Sequence, residues 1–495
     1  MRHRLLLLLP ALMEVLAQDF RQIKYSLFPP LGLLTLASMT PEDRYEILVR
    51  DEHVEPVDVE GGVDLVAMTV YVSSADRAYK LAEMHRRRGA KVVLGGIHAT
   101  TLPEEAARHA DAVCIGPAEP AWPQILRDFE ANALKKFYRA RSAGSASLVP
   151  PIARRNLMNP AAYLVRNTMV TSRGCPNACD FCYKSSFWGE RYYETRPLAD
   201  IERELDSLEG NFVFFLDDNF MAGRSRTREI FRLLRRSGFV WQAGASLDVA
   251  RSDGFLEDAY DAGCRSLFVG FESLSSENMR RSNKPANVGI DYAEAVRRFH
   301  DAGIMINGSF VFGFDCDSPD VFDHTLDFAV ENKIETATFH VLTPFPGTRT
   351  FMNMEAEGRI LHHNWSLYDT RHAVFRPRRL TPDALEAGYR RAYDEFYRYG
   401  SILRRSCGMP GAVKRILYNV AWKRMDRLWA PVIQHGLLPY VRPIFEHVLA
   451  RSTRARRAEC RPSPPSESDE SGGRIFSVPE GTPKDSYKQA PLSVP

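Results

Sequence analysis

Residues 1–130 alternate short apolar runs with stretches in which apolar residues recur every three or four positions. The runs are typical of buried parallel strands, and the recurring pattern is typical of amphipathic helices. The predicted strands are Leu5–Leu9, Tyr45–Val49, Leu65–Val70, Lys91–Leu94 and Ala112–Ile115. The predicted helices are Gly32–Met39, Ser74–Arg88, Pro103–His109 and Ala121–Asn132. This alternation predicts an α/β domain over residues 1–135 with a doubly wound, flavodoxin-like parallel sheet.

Residues 164–350 repeat the same strand–helix rhythm. The predicted strands are Leu164–Val170, Phe212–Leu216, Val240–Ala245, Ser266–Phe271, Met305–Phe312 and Thr336–Leu342. The predicted helices are Leu198–Leu208, Ser225–Ser237, Asp253–Ala262, Tyr292–Ala302 and Pro319–Asn332. Six parallel strands joined by crossover helices predict a partial (β/α)6 barrel, with its active site at the C-terminal strand ends. Residues 136–163 are predicted to be a linker, because small polar residues and prolines interrupt any periodic pattern.

The C-terminal part divides into a helical region and a polar tail. Residues 351–450 are predicted to form a helical cap. Its predicted helices are Met352–Gly358, Pro382–Tyr399, Gly411–Leu428 and Pro439–Leu449. Residues 451–495 are rich in Ser, Pro, Gly and Glu, which predicts a disordered tail.

Composition changes this picture little. The chain has 495 residues, 44% of them apolar and 26% charged, and a net charge of +3, which indicates no nucleic-acid partner. Eight cysteines, three of them clustered, suit a reducing cytosol better than a secreted disulfide framework. The N-terminus resembles a signal peptide in its basic start and apolar run, but Pro10 and Glu14 interrupt that run. We therefore interpret Leu5–Leu9 as a buried strand.

Three cysteines, Cys175, Cys179 and Cys182, lie in Cys-x3-Cys-x2-Cys spacing between a predicted strand and a helical segment. Thiolates are soft ligands that suit iron–sulfur clusters or zinc. A structural zinc site takes four protein ligands, and no fourth Cys or His is clustered here. Three thiolates on a four-iron cluster leave one iron without a protein ligand. The spacing therefore favours a reactive iron–sulfur cluster, with three unrelated loop cysteines as the alternative.

The string TSRGCPNACDFCYKSSFW resembles the C-x3-C-x-aromatic-C motif of the radical S-adenosylmethionine (SAM) superfamily, with Phe181 as the aromatic residue. The resemblance implies that the three cysteines bind a 4Fe–4S cluster and that Phe181 contributes to the SAM site. It also implies that the amino and carboxylate groups of SAM chelate the open iron. Cleavage of SAM then yields a 5′-deoxyadenosyl radical, which abstracts a hydrogen atom from the substrate.

Polar residues at the ends of the predicted barrel strands supply the rest of the SAM site, by the same resemblance. Asp217 and Asp218 stand where the family has a Gly-Gly-Glu segment for the amino group of SAM, and which of them acts is left open. Ser246 ends the third strand. Glu272 resembles the acidic residue that bonds the ribose or the substrate, and Asn307 lies on the strand that resembles the adenine-lining element. For each residue alone, an ordinary turn or capping role is the alternative.

Three ordered motifs within residues 1–135 resemble the cobalamin-binding domain found ahead of many radical SAM cores. They are Pro29-Pro30-Leu31-Gly32-Leu33-Leu34, Gly95-Gly96-x-His98-x-Thr100 and Gly116-x-x-Glu119. The resemblance implies cobalamin contacts from Thr69, Tyr71, Ser73, Gly95, Gly96, His98, Thr100, Gly116 and Glu119. Pro117 stands where family members often carry Glu, so a contact from that position is not expected. A flavodoxin-like domain kept for packing or dimerisation is the alternative.

No histidine from the motif of His-on cobalamin proteins is expected on cobalt. Asp51-Glu52-His53 resembles the start of the Asp-x-His-x-x-Gly motif of His-on cobalamin proteins, but position 56 is Pro. A residue near Tyr71 or Val72 is expected to face the lower side of the cofactor instead. His98 has two interpretations, a cofactor contact and an ordinary polar loop residue.

The segment Trp365–Phe375 resembles the C-terminal region of a cobalamin-dependent branch that includes the hopanoid C-2 methylases. This resemblance implies a C-methyltransferase that acts on an unactivated carbon through a 5′-deoxyadenosyl radical and methylcobalamin. It does not identify catalytic side chains. The alternatives are a non-methylating cobalamin radical SAM enzyme that cyclises or rearranges its substrate, and a non-enzymatic iron–sulfur protein.

The partners are expected from the same family. They are a small-molecule or lipid substrate and an electron donor such as flavodoxin or ferredoxin. Residues 404–457 are basic and contain Trp422, Trp429 and Tyr440, a composition typical of a helix lying on an anionic membrane. A solvated helical face is the alternative. We expect a cytoplasmic protein, with contact at the inner face of the membrane as a hypothesis.

Overall fold

The structure is a computed structural model that describes residues 2–12, 27–59, 61–139, 151–420, 432, 437–441 and 443. Trp422, Trp429 and the predicted tail 451–495 lie outside the described residues. The predicted helix Gly411–Leu428 is described only in its first part, and Pro439–Leu449 only near its start.

The N-terminal sheet confirms the predicted doubly wound domain. Its six strands are all parallel, in the order β2-β1-β3-β4-β5-β6. They are β1 (His3–Leu9), β2 (Tyr45–Asp51), β3 (Leu65–Thr69), β4 (Lys91–Gly95), β5 (Ala112–Ile115) and β6 (Phe137–Arg139). The helices are α1 (Leu31–Ser38), α2 (Ala75–Arg87), α3 (Ile97–Thr101), α4 (Pro103–His109) and α5 (Trp122–Glu130). Strand β6 lies in the predicted linker. The sequence does not predict it, because three residues with one buried side chain are too short to show an alternation of apolar and polar positions.

The second sheet confirms the partial barrel. Its six parallel strands run in the order β14-β13-β12-β11-β10-β7. They are β7 (Thr168–Met169), β10 (Phe212–Phe215), β11 (Val240–Ser246), β12 (Cys264–Glu272), β13 (Met305–Phe312) and β14 (Thr336–Val341). Between β7 and β10, a short antiparallel pair forms from β8 (Ser172–Gly174) and β9 (Tyr193–Thr195). Strand β7 is shorter than the predicted Leu164–Val170, since Leu164 packs in a separate cluster with Leu438.

Helices cover the outer face of this sheet and continue after it. They are α6 (Lys184–Trp188), α7 (Leu198–Asp206), α8 (Arg224–Ser237), α9 (Phe255–Asp261), α10 (Ser276–Arg281), α11 (Tyr292–Asp301), α12 (Val321–Glu331), α13 (Arg349–Ala356), α14 (Pro382–Phe396), α15 (Tyr399–Ser406) and α16 (Ala412–Asn419). Both sheets lie within one compact unit, Met1–Ser452.

Stacked phenylalanines fill the core behind the last three barrel strands. The ring of Phe310 lies 5.1 Å from that of Phe271 and 5.8 Å from that of Phe339. Each fully buried phenylalanine contributes about 1.5–3 kcal/mol of transfer free energy. Because successive side chains of a strand alternate between faces, this packing turns Phe268 and Gly270 of β12 toward the barrel interior. The core thus fixes which residues face the cavity described below.

Tyrosine hydroxyl groups on α14 cover the free edge of β14. An edge strand presents backbone N–H and C=O groups without a strand partner. Tyr397 Oη accepts a hydrogen bond from Ala337 N at 3.1 Å and donates one to Ala337 O at 2.7 Å. Tyr393 Oη accepts from Phe339 N at 3.2 Å. Residues four apart share one face of a helix, so both hydroxyls reach the same strand.

Replacing Tyr397 by Phe is expected to lower the free energy of unfolding by about 1–3 kcal/mol, because the buried Ala337 N–H loses its acceptor. The matched control is Tyr399→Phe, at a residue that is 57% exposed, with an expected change within about 0.5 kcal/mol. Urea denaturation of both variants checks this. Equal effects would contradict a specific role for the Tyr397 hydroxyl.

Candidate functional site

The three predicted ligand cysteines lie between β8 and α6, in a stretch that we call the cysteine segment (residues 171–188). Gly174 precedes the first cysteine and has φ at +76°. A Cβ there would overlap the carbonyl oxygen of Tyr192, which directly precedes β9. Glycine is therefore required where this segment passes β9. All seven described cysteines are free thiols. Burial raises the pKa of Cys179 to about 12, so a thiolate there needs a compensating cation such as a metal.

Hydrogen bonds from other elements fix the shape of the cysteine segment. Asp180 N donates to Ser282 O at 3.0 Å, and Thr350 N donates to Asp180 O at 3.1 Å. Asn283 Nδ2 donates to Ala178 O at 2.8 Å. Within the described residues, no three Cys, His, Asp or Glu side chains converge on a site for a single ion. The three hydrogen bonds tie the segment that carries the cysteines to the end of α10 and to α13.

One cavity, which we call the cysteine cavity, gathers most of the predicted SAM residues. It encloses about 1170 Å³, including its open mouth, at the C-terminal ends of the barrel strands. It is lined by Cys175, Cys179, Cys182, Phe181, Asp217, Asp218, Ser246 and Glu272, together with Lys184, Lys284 and other residues. The predicted residue Asn307 does not line this cavity; its Oδ1 accepts a hydrogen bond from Thr338 Oγ1 at 3.3 Å.

The two neighbouring aspartates have different surroundings. Asp217 is buried, and it accepts hydrogen bonds from Thr171 N at 2.9 Å, Thr171 Oγ1 at 2.7 Å and Ser172 Oγ at 2.5 Å. Burial raises the pKa of Asp217, although these donors oppose the shift. Asp218 also lines the cavity, and its Oδ1 lies 2.7 Å from Lys184 Nζ. Asp217 therefore anchors the cysteine segment, and Asp218 is paired with a lysine on the cavity wall.

Glu272 combines a strained backbone with a buried partner. Its φ is +59°, a left-handed value that is uncommon outside glycine, at a register shift between β12 and β13. Such strain is found mostly where the surrounding structure enforces a functional geometry. Its carboxylate is hydrogen-bonded to Lys284, whose ammonium also donates to Gly270 O at 3.3 Å. The left-handed backbone thus holds an ion pair on the cavity wall.

Ser246 belongs to a polar network on the same wall. Its hydroxyl donates to the carboxylate of Asp248 and accepts from Asn219 Nδ2 at 3.3 Å. Arg224 Nη2 completes the network by donating to Asp248 Oδ2 at 3.0 Å. The Ser246 hydroxyl is thereby held at a fixed orientation.

The partly buried Lys184 and the buried Lys284 are functional candidates that the sequence analysis missed. Lys184 stands two residues after Cys182, which is a signal that could have been used. Lys284 lies in a polar loop, where nothing in the sequence distinguishes a buried lysine from an exposed one.

A second cavity, which we call the aromatic cavity, lies at the C-terminal ends of the N-terminal sheet, where doubly wound folds bind ligands. It encloses about 740 Å³. The N-terminal part contributes Leu12, His53, Tyr71, Val72, Ser73 and Ile97, and later segments contribute Tyr183, Phe345, Tyr368, Asp369 and Thr370. Its mostly apolar, aromatic walls suit a large flat ring system. The predicted residues Tyr71 and Ser73 line it.

Other predicted cobalamin residues form the turns beside this cavity. Gly96 has φ at +90°, and a Cβ there would lie 2.8 Å from Val70 N. Thr100 Oγ1 donates to Gly96 O at 2.7 Å and accepts from Gly116 N at 2.9 Å. These bonds tie the loop after β4 to the loop after β5. Three further predicted residues, Thr69, Gly95 and Glu119, likewise do not line the aromatic cavity.

The histidines are engaged in hydrogen bonds within the protein. His53 Nδ1 lies 2.8 Å from Asp51 Oδ1, and its Nε2 accepts a hydrogen bond from Leu12 N at 3.3 Å. His98 is fully buried, with Nε2 3.0 Å from Tyr79 Oη and 3.1 Å from Glu105 Oε1. The structure therefore gives His98 the surroundings of a core polar residue.

Two family models match this chain, one in the region of each sheet. The model of the radical SAM superfamily matches residues 169–329, and that of the B12 binding domain matches residues 25–126. The chain is 31% identical to bacteriochlorophyllide d C-12(1)-methyltransferase of Chlorobaculum tepidum over 77% of this chain and 85% of that protein. It is 24% identical to the hopanoid C-2 methylase of Rhodopseudomonas palustris over 68% of this chain and 66% of that protein.

A solved structure shares the fold. It is the radical S-adenosylmethionine methyltransferase TsrM from Kitasatospora setae with cobalamin and a [4Fe-4S] cluster bound. The TM-score is 0.58 at 17% identity, over 72% of this chain and 75% of that chain.

Replacing Asp217 by Asn is expected to lower the iron content of anaerobically reconstituted protein at least severalfold, because an amide donor would face the donors Thr171 N and Oγ1. The matched control is Asp218→Asn, which should keep its iron because Asp218 contacts Lys184 and not the strand end. Iron analysis and the absorbance of the sulfide-to-iron charge-transfer bands measure the cluster content of both variants. Full iron retention in the Asp217 variant would rule out the anchoring role.

Proposed function

The chain belongs to the cobalamin-binding radical SAM enzymes, and from this premise we propose that it is a C-methyltransferase acting on an unactivated carbon of a small apolar molecule. Its cofactors are a 4Fe–4S cluster, SAM and cobalamin. The relatives named above act, according to their names, on a bacteriochlorophyllide and on hopanoids. We infer a polycyclic or lipid-like substrate for this chain from those names.

The observation that carries the proposal is that the two cavities share a wall. Cys182 and Lys184 line the cysteine cavity, and Tyr183 between them lines the aromatic cavity. Two cofactors that act on one carbon must both lie within reach of it, and productive rates depend on that placement. A single stretch of three residues thus lies between the two proposed cofactor sites.

We assign roles in the cysteine cavity from its side chains. Cys175, Cys179 and Cys182 would hold the cluster, which when bound supplies the electron for SAM cleavage. The carboxylate of Asp218 would accept the amino group of SAM, and Lys284 would meet its carboxylate.

The remaining polar groups orient the nucleoside. Glu272 is held for the ribose hydroxyls, and Ser246 lies on the same wall. Phe181, whose ring lies 5.7 Å from that of Phe314, gives this wall an apolar section. Asn307 remains a proposed adenine-side residue on the neighbouring strand.

In the aromatic cavity, Tyr71, Val72 and Ser73 would lie under cobalamin, the carrier of the methyl group. Tyr183 and Phe345, whose rings are 6.0 Å apart, would cover its other side and exclude water. Gly95, Gly96, Thr100 and Gly116 form the turns that let the backbone approach the cofactor, with Thr69 at the end of β3.

We propose cobalamin binding over residues 1–135 together with β6, which completes the N-terminal sheet, a linker over the rest of 136–163, the barrel over 164–350, a helical cap over 351–450 and a tail over 451–495. We further propose a cytoplasmic protein reduced by a flavodoxin or ferredoxin. The free thiols of the seven described cysteines support a reducing compartment.

Peripheral membrane contact is proposed from the C-terminal helices. Tyr399, Leu403, Val413 and Leu417 on α15 and α16 are 49–70% exposed, and the neighbouring Arg404 is also exposed. Exposed apolar side chains beside basic ones are typical of a helix at an anionic lipid surface. Among the described helices, none has the length and hydropathy needed to cross a membrane.

Anaerobically reconstituted protein with hydroxocobalamin, SAM and a reductant is expected to release both 5′-deoxyadenosine and S-adenosylhomocysteine, as measured by liquid chromatography and mass spectrometry. Replacing Cys175, Cys179 or Cys182 by Ala is expected to abolish 5′-deoxyadenosine, because the cluster loses a ligand. The matched control is Cys316→Ala, a described cysteine outside the cavity, which should keep both products.

Three outcomes separate the functions. Both products support a methyltransferase. 5′-Deoxyadenosine without S-adenosylhomocysteine supports a cyclising or rearranging enzyme, and neither product supports an iron–sulfur protein without enzymatic activity.

Sedimentation with liposomes checks the membrane proposal. We expect the protein to bind vesicles that contain phosphatidylglycerol at low salt and to be released at high salt, since charge screening removes the attraction. A Leu403→Glu, Leu417→Glu variant should bind several times more weakly. Equal binding to neutral vesicles, or none to either kind, would overturn the proposal.

A further inference from the structure

A largely buried ion pair joins the loop after β5 to the cysteine segment. Glu119 Oε1 lies 2.6 Å from Arg173 Nη2, and the two side chains are only 15% and 19% exposed. Arg173 stands in β8, two residues before Cys175. The two charges compensate each other across these segments, and removing either partner would leave the other charge largely buried without compensation.

Arg173 has a second contact that fixes its direction. Its guanidinium carbon lies 5.4 Å from the ring centroid of Trp188, at the far end of the cysteine segment. The ring of Trp188 is stacked on that of Tyr192 at 5.8 Å, next to β9. The cysteine segment itself therefore positions the guanidinium of Arg173, and Glu119 binds a guanidinium whose direction is already fixed.

Gly347, in the loop after β14, lies between α3 and the part of the cysteine segment that follows the cysteines. Ser186 Oγ donates to Gly347 O at 2.6 Å, and a Cβ on Gly347 would lie 2.8 Å from Thr101 Cγ2 at the end of α3. Thr100 joins the loop after β4 to the Gly116–Glu119 turn through its hydroxyl. The loops that border the proposed cobalamin site thus hold the cysteine segment both before and after its cysteines.

We propose that Glu119 is a positioning residue that sets the cysteine segment relative to the cobalamin-binding loops through Arg173, and that it is not a cobalamin contact. This inference rests on the proposed function, because it concerns transfer between SAM and cobalamin. Transfer of the methyl group from SAM to cobalamin depends on the relative placement of both sites. Cleavage of SAM depends on the barrel, and the affinity for cobalamin depends on the N-terminal domain.

The experiment compares Glu119→Gln, Arg173→Gln, the double variant and Arg173→Lys in reconstituted full-length protein. Substrate is not needed, because S-adenosylhomocysteine formed from SAM and reduced hydroxocobalamin reports the transfer. We expect each Gln variant to form it about tenfold more slowly, within the range of rate losses caused by small displacements of reacting groups. The dissociation constant for hydroxocobalamin, the iron content and 5′-deoxyadenosine formation should change less than about twofold.

Further variants distinguish the pair from its parts. The double variant should be no slower than either single variant, since both remove one interaction, and Arg173→Lys should recover most of the rate because it keeps the charge. The control Glu130→Gln removes another ion-paired carboxylate of the N-terminal domain, 2.7 Å from Arg44, and should leave all readouts unchanged.

Three results would overturn the inference. They are a tenfold weaker affinity for hydroxocobalamin in Glu119→Gln alone, additive losses in the double variant, and unchanged transfer rates in both single variants. If the wild-type protein forms neither S-adenosylhomocysteine nor 5′-deoxyadenosine, the proposed function fails instead. Loss of iron in the variants would also overturn the inference, because the pair would then be needed for the folding of the cysteine segment and not for its placement.

Discussion

The barrel domain depends on the hydrogen bonds that the carboxylate of Asp217 accepts. This carboxylate lies at the end of β10 and holds the backbone and hydroxyl of Thr171, just before the cysteines begin. Strand β7 pairs with β10 over only two residues, so the sheet alone orients this part of the chain weakly. A buried carboxylate surrounded by donors supplies the missing orientation, and the stretch from Gly174 to Cys182 can then follow an irregular path.

The two sheets are built by the same rules but present different chemistry at their C-terminal edges. The N-terminal edge offers tyrosine rings and glycine turns, which suit a large flat ligand. The barrel edge offers thiols, carboxylates and two lysines, one buried and one partly buried, which suit a charged ligand near a metal cluster. Their shared wall at Tyr183 brings these environments together. The arrangement explains why one chain needs both domains: neither edge alone provides a place where both ligands can approach a third molecule.

Most of the fold is predictable from the periodicity of apolar residues, and the three ligand cysteines are predictable from their spacing. Strands such as Lys91–Gly95 and Met305–Phe312 are predicted to within a residue or two, because their buried runs are continuous. The site is less predictable, because partner choice is a long-range property. Nothing local distinguishes Asp217 from Asp218, yet Asp217 binds Thr171 and Ser172 whereas Asp218 pairs with Lys184. Glu119 and His98 lie in motifs that resemble cofactor contacts, and the structure gives them partners, Arg173 and Glu105, that no spacing rule identifies.

The tyrosine hydroxyls on α14 have a consequence for how the barrel is delimited. The region that matches the radical SAM superfamily ends at residue 329, before β14 begins at Thr336. A fragment cut at that limit would expose the edge of β13, and one cut after β14 would expose groups that Tyr393 and Tyr397 now satisfy. Bare strand edges recruit other chains into intermolecular sheets. The boundary of the superfamily match is therefore not the boundary of a complete sheet, and α14 covers the strand edge that a shorter fragment would expose.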